Sequence, residues 1–315
     1  MPIPTRHRTR FSASALLASG LSIAGAQVPP PAAPQNPSPM SESTRAHDRL
    51  AQRPFDGLTR AFNGPAGKPV ELFIPRRAAR EEALDVVIHF HGAGWIPAQA
   101  VAALPRATVA AVVNLGAGSG AYHRAFTEPA SFDSLLDGVL NDVARATGRA
   151  HRPGRLTLVG FSAGHGAIRA ILREPRHFAR VNAVLLLDGM HTSYVPEGSV
   201  LATGGHLDTA NLVAFAELGR AAMRGDKRFV VTHSEIFPGT FASTTETADW
   251  LLHSLGVRRT AVLRWGPRRM QQLSEARSRG FHLLGYAGNS APDHVDHLHA
   301  MPELLALVAG ARRTP

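Results

Sequence analysis

Compact apolar runs alternate with helical spacings along most of this chain. Val70 to Ile74, Asp85 to Phe90 and Thr108 to Val113 are short, β-rich and bounded by turn residues, which predicts three strands. From Phe132 to Ala146, Leu135, Leu136, Val139, Leu140 and Val143 recur at steps of three and four, the spacing of a helix with one buried face. Arg155 to Val159 reads as a further strand, and His165 to Arg173 as a helix ending before Pro175. Beyond it, strands are predicted over Val181 to Leu187, Phe229 to Thr232, Arg259 to Arg264 and Phe281 to Tyr286. Helices are predicted over Leu207 to Met223, Thr244 to Leu255, Met270 to Arg279 and Pro302 to Ala311. Such alternation implies an α/β fold with a mostly parallel sheet covered by helices on both faces.

One turn in this pattern carries chemistry. Gly160-Phe161-Ser162-Ala163-Gly164 joins a predicted strand directly to a predicted helix. A serine between glycines at a strand-to-helix turn is the nucleophile-elbow pattern, in which a tight turn lifts the hydroxyl above the sheet edge. A plainer alternative has Ser162 only capping the helix. In a parallel sheet the C-terminal strand ends share one edge, where ligands bind. His91-Gly92-Ala93-Gly94-Trp95, Ser162, Asp188, then His233, Ser234 and Glu235, and last the Asp293-to-His299 segment all follow strands and converge there. The order is nucleophile, acid, then histidine.

Composition narrows the setting. Arg6, Arg8 and Arg10 precede a modestly apolar stretch from Phe11 to Ile23 and the small residues Ala24-Gly25-Ala26, a pattern expected of a cleavable export signal over residues 1–26. That stretch is too short and too rich in Ser and Gly to span a bilayer, and without a cysteine it carries no lipid anchor. Residues 27–40 are Pro-rich and read as an extended linker. Residues 41–315 suit one domain, secreted or periplasmic. The chain has no cysteine, which excludes disulfides and thiol chemistry. Its formal charge is +10, carried almost entirely by scattered arginines, with lysine only at Lys68 and Lys227. No basic stretch is interleaved with aromatics, so nucleic acid is not an expected partner, while a preference for anionic substrates stays open.

The elbow and the His91-Gly92-Ala93-Gly94 segment, about seventy residues before it, resemble the α/β-hydrolase superfamily and its HGGG-type oxyanion loop. The resemblance implies a three-layer α/β-hydrolase fold and an esterase-like serine hydrolase without organic cofactor, acting on a small-molecule or polymer-derived ester. A peptidase or amidase on the same site, or a non-catalytic envelope protein on the same scaffold, are the alternatives. Serine needs a histidine base, and the base needs a carboxylate to fix its tautomer. The base is His294, closest to the strand end, or His297; the acid is Asp188, at the end of a very apolar strand, or Glu235, after the following strand. Backbone N–H groups of Ala163 and of Gly92–Ala93 would hold the oxyanion. His91, Trp95 and Phe161 are expected to line the substrate pocket, and Met190, Tyr194 and the loop to His206 to overhang it. Asp293, His294, Asp296, His297 and His299 carry metal-ligand atoms but lack the spacing of a zinc motif, and no metal is assigned. His89, His165, His191, His206 and His233 read as structural.

Overall fold

The computed structural model describes residues 46–309, so the export signal and linker expected over residues 1–40 lie outside the described residues. The chain runs through β1 (Gly57–Asn63), β2 (Pro69–Pro75), β3 (Ala83–Phe90), α1 (Trp95–Ala102) and β4 (Thr108–Val113). Next come α2 (Ser119–Ala125), α3 (Pro129–Thr147), β5 (Arg152–Phe161), α4 (His165–Leu172), α5 (Pro175–Arg180) and β6 (Ala183–Leu187). A two-residue hairpin follows, β7 (Tyr194–Val195) with β8 (His206–Leu207), then α6 (Val213–Arg224), β9 (Arg228–His233) and α7 (Thr244–Leu255). The chain closes with β10 (Thr260–Trp265), β11 (Gln271–Ser278), β12 (Phe281–Tyr286), α8 (Ala291–His299) and α9 (Met301–Ala309).

Ten strands form one sheet in the order β1-β2-β4-β3-β5-β6-β9-β12-β11-β10. The inner six, β4 to β12, are parallel, and two antiparallel strands flank them on each edge. The parallel strands are buried on both sides, and their residues alternate between two cores. Val86, Ile88 and Phe90 of β3 and Leu158 of β5 face a core shared with α3, α4, α6 and α7. Val87 and Val159 face a second core filled by α1, α9 and Leu298 of α8. This is a three-layer α/β sandwich with a mostly parallel sheet, and the elbow lies at the end of β5 in the middle of the parallel strands.

Two departures from the sequence reading bear on the site. The helix predicted from Met270 to Arg279 is the strand β11. Its Gln, Glu, Ala and Arg favour helix in isolation, but pairing on both sides, to β10 and β12, overrides that preference. The Asp293-to-His299 segment, expected as a loop, lies within helix α8. Ser290 caps α8, its Oγ accepting from Asp293 N while the Asp293 carboxylate accepts from Ser290 N. In addition, β1 (Gly57–Asn63) adds an edge strand at a segment with no clear alternation, and α6 begins at Val213 rather than Leu207.

Candidate active site

Three parallel strands end in residues held at left-handed φ: His91 after β3 (φ 73°), Ser162 after β5 (φ 47°) and Asp188 after β6 (φ 43°). Non-glycine residues adopt this region at a cost of about 1–3 kcal/mol each, and such strain concentrates at functional sites. The surrounding packing enforces it. A Cβ on Gly164 would come 2.1 Å from Phe90 O, and one on Gly189 would come 2.7 Å from both N and O of Ser162. The elbow is thus pressed between the ends of β3 and β6, and only glycine fits at the two points of contact.

Asp188 and His294 meet across the sheet edge. His294 Nδ1 lies 2.7 Å from Asp188 Oδ2. Asp188 is buried, and three further donors converge on it: Ser234 N (2.8 Å) and Thr244 Oγ1 (2.6 Å) to Oδ1, and Ser234 Oγ (2.7 Å) to Oδ2. Burial alone would raise this carboxyl, but the nearby His297 and the hydrogen-bonded His294, together with Thr244, hold it well below the usual carboxylate range. An ionised carboxylate only accepts, so His294 Nδ1 carries the proton of this hydrogen bond, and in the neutral ring Nε2 is the acceptor. The ring of His294 lies against Phe161 (centroids 4.6 Å, 30° apart), and Phe161 stacks in turn on His91 (6.0 Å, 14°). His91 Nδ1 is 2.9 Å from the Tyr122 hydroxyl. Burial, then the neighbouring His294, push the His91 pKa down.

The two open choices separate geometrically. His297 lies one turn beyond His294 on α8, fully buried, with Nδ1 2.8 Å from Thr232 Oγ1 and its ring edge-on to Tyr286. Glu235 is exposed; its backbone N–H donates to Gly288 O and its carboxylate accepts from Gly288 N at 3.4 Å. The structure therefore brings Asp188 and His294 together and gives His297 and Glu235 other partners.

Around Ser162 the expected lining is partly corrected. Gly92 N–H already donates to Asn114 Oδ1 (2.9 Å), and Asn114 Nδ2 returns a bond to Gly92 O, so of the Gly92–Ala93 pair Ala93 is the amide left for a ligand. Trp95 lies in the first turn of α1, edge-on to His299 (5.6 Å), and lines a separate cleft with Phe55 and Phe73. Phe161 and His91 stack beneath His294 and line neither of the two cavities that reach Ser162. The smaller of these, about 290 Å³, holds His294, Asp188, Asn289 and Ile236. The larger, about 610 Å³, holds Ala163, His165, Arg169 and the Thr192–Ser193 segment, whereas Met190 and Tyr194, expected to overhang the site, are buried in the main core. His191 and Phe241 border both. Ser234 was placed at this edge without a role, and Thr244, Asn114 and Arg169 were missed by the sequence reading. Of these three only Arg169 left a signal there, as a charged residue in the otherwise apolar run from Gly166 to Leu172.

The side chains weighed as metal ligands over residues 293–299 are divided among different partners. His299 Nδ1 accepts from Leu50 N, and Asp296 pairs with Arg49 and with His47. His47, Asp293 and Asp296 do bring possible ligand atoms within 4.8 Å of one another. There Asp293 also closes the cap of α8. Among the described residues no helix is long and apolar enough to cross a membrane.

No family model matches the sequence. No curated protein matches it either. Solved structures similar in fold include the siderophore hydrolase EstB from Aspergillus nidulans (10% identity, TM-score 0.46, covering 84% of this chain and 99% of that one). Carboxylesterase CesB from Bacillus subtilis aligns at 11% identity and TM-score 0.41 over 82% of this chain and 94% of its own. Carboxyl esterase 2 from the fungus Tuber melanosporum aligns at 15% identity and TM-score 0.43 over 82% and 86%.

Proposed function

We propose that this protein is a serine hydrolase of carboxylic esters. The observation that carries the reading is the 2.7 Å contact of His294 Nδ1 with the buried, fully hydrogen-bonded Asp188, in the same cavity as the strained Ser162. Ser162 Oγ attacks the ester carbonyl carbon as its proton passes to His294 Nε2. Asp188 keeps the imidazole in the productive tautomer and stabilises its cation. The amides of Ala163 and Ala93 take the oxyanion, each donor lowering the barrier by about 3–4 kcal/mol. The carbonyl C–O bond then breaks, the leaving alcohol takes the proton from Nε2, and acyl-Ser162 remains. Water attacks the acyl group, Nε2 accepting and returning a proton, and the carboxylic acid departs. Phe161 and His91 act as a backing stack that fixes the His294 ring, and His297 supports the sheet edge through Thr232.

Labelling with a fluorophosphonate tests this directly, alongside turnover of 4-nitrophenyl butyrate. The wild-type protein should be labelled and active. Ser162→Ala and His294→Ala should each lose labelling and at least a thousandfold in kcat, whereas His297→Ala should keep its label. A folded wild-type protein that neither labels nor turns over the ester would overturn the reading, and loss of label in His297→Ala alone would move the base to His297.

A further inference from the structure

The larger cavity beside Ser162 has a charge problem that the serine chemistry does not use. Arg169 lies on α4 and lines this cavity, with only 8% of its surface exposed. Its Nε is sealed from solvent without a hydrogen-bond partner, and among the described residues the guanidinium has neither a hydrogen bond nor an ion pair. Arg173, one turn on, gives its Nη2 to Ala210 O and adds positive charge, while the one carboxylate near enough to be felt, Asp208, is bonded to Asn211 Nδ2. Among the described residues no carboxylate lines the cavity. Its titratable side chains are Arg124, Arg169 and the histidines 123, 165 and 191. His123 Nδ1 is also buried without a partner. Withdrawing an arginine from water without a counter-ion is expensive, and removing the charge by deprotonation is closed to arginine. A mostly buried arginine with an unpartnered Nε, lining an open cavity that carries only positive and titratable imidazole groups, is thus suited to bind an anion.

The chemistry of the reaction says which half of the substrate enters. The leaving alcohol must take a proton from His294 Nε2, so it occupies the smaller cavity, which His294 lines. The cavity on the other side of Ser162, bordered by Ala163 and Arg169, is the space available to the acyl chain. Resting on the serine-hydrolase reading above, we infer that the acyl group ends in a carboxylate held by Arg169, so that the preferred substrates are half-esters of dicarboxylic acids. Arginine's planar fork suits a carboxylate better than a point charge would. Ser162 and Arg169 are seven residues apart along the elbow and α4, about 10 Å at 1.5 Å per residue, and helical side chains lean back toward the N-terminus. A chain of a few methylenes bridges that gap.

The test compares kcat/KM for mono-4-methylumbelliferyl glutarate and adipate with that for the butyrate and hexanoate esters, and adds the butyrate ester of 4-hydroxybenzoate, which places the carboxylate on the leaving group. Wild type should prefer the glutarate or adipate ester about 10- to 100-fold, the discrimination expected of one charge-assisted hydrogen-bonded pair. The leaving-group carboxylate should give no such gain. In Arg169→Gln the anionic-to-neutral ratio should fall to about 1, and Arg169→Lys should restore part of it. Wild type hydrolysing neutral esters as well as anionic ones, or a ratio unchanged in Arg169→Gln, would overturn the inference. If Arg169→Gln does not fold, the wild-type ratio decides alone. If no ester is hydrolysed, the serine-hydrolase reading fails by itself. Calorimetric titration of glutarate into wild type, with inorganic phosphate as competitor, then decides the anion site: saturable glutarate binding supports it, no heat refutes it, and displacement by equimolar phosphate refutes selectivity for a carboxylate.

Discussion

On one side of Ser162 the buried carboxylate of Asp188 meets four hydrogen-bond donors; on the other, the Arg169 guanidinium meets no acceptor among the described residues. Asp188 sits at the sheet edge and Arg169 on the helix that leaves it, and both are costly to bury. The difference lies in when the compensation arrives. Asp188 is satisfied by the fold itself, through Ser234, Thr244 and His294, which suits a group that must hold one geometry throughout a reaction. Arg169 is left for something that comes and goes. A saturated buried charge marks machinery, and an unsaturated one beside it marks a place for substrate.

The sharpest way to break this comparison is to remove the charge on the satisfied side while keeping the shape. Asp188→Asn retains an acceptor but loses the negative charge, and its amide would favour the wrong His294 tautomer. We expect kcat for ester hydrolysis to fall about 10³- to 10⁴-fold, the scale seen when a triad carboxylate is neutralised in this way, with KM little changed. Steady-state kinetics on the butyrate ester would show it. A loss below tenfold would mean that Asp188 only holds the loop.

Much of this site was legible beforehand because it rests on local rules. The elbow follows from glycines around a serine between an apolar run and a helical one, and Asp188 stood as one of two acid candidates by its place at the end of β6. What stayed hidden depends on contacts distant in sequence. Ser234 and Thr244 reach Asp188 across gaps of 46 and 56 residues, and no spacing marks such a pairing. His294 and His297 could not be separated while their segment was read as a loop. Once it is the helix α8, positions three apart lie on one face a turn apart, and the nearer meets Asp188 while the farther meets Thr232. The strand β11 was misread because its composition favours helix and only its partners make it a strand. Trp95 and Phe161 were placed in the pocket on proximity along the chain, whereas their side chains are claimed by His299 and by the His91–His294 stack.

Acid distinguishes the two sides more gently. On the Arg169 side, His165 is pushed down to about 3 by burial and by His191; beneath the sheet edge His89 is pushed to about 3 by burial and by His91. His233, next to Ser234, is pushed to about 4 by burial and then Arg259. In the unfolded chain each takes a proton near pH 6.5. Between pH 6.5 and these lowered values the unfolded state binds protons that the folded state refuses, so stability falls as pH falls, by about 1.4 kcal/mol per pH unit for each histidine. Asp188, also depressed in the folded state, acts in the same direction in a lower window: its contribution is present above the usual carboxylate range and is lost as pH falls through that range. The melting temperature should therefore drop steadily from pH 7 to 4.5, and His165→Gln should show a shallower slope. A flat profile would mean that these histidines accept protons in the folded state.

The smallest effect is the most discriminating for the acid. Glu235 follows β9, the position where the sequence alone left a second candidate, and it carries the same functional group as Asp188. The structure surrounds the two quite differently. Glu235 is exposed and shares only a pair of contacts with the Gly288 backbone, so its charge is screened by water and aimed at no imidazole. Glu235→Gln keeps the Gly288 contact and removes the charge alone. We expect kcat/KM to change by less than about twofold and the melting temperature by no more than a degree or two, in keeping with a surface substitution. The same assay that reads Asp188→Asn reads this one. A thousandfold loss in Glu235→Gln with Asp188→Asn tolerated would exchange the two roles, and would require the loop after β9 to rearrange until the Glu235 carboxylate replaced Asp188 at His294 Nδ1.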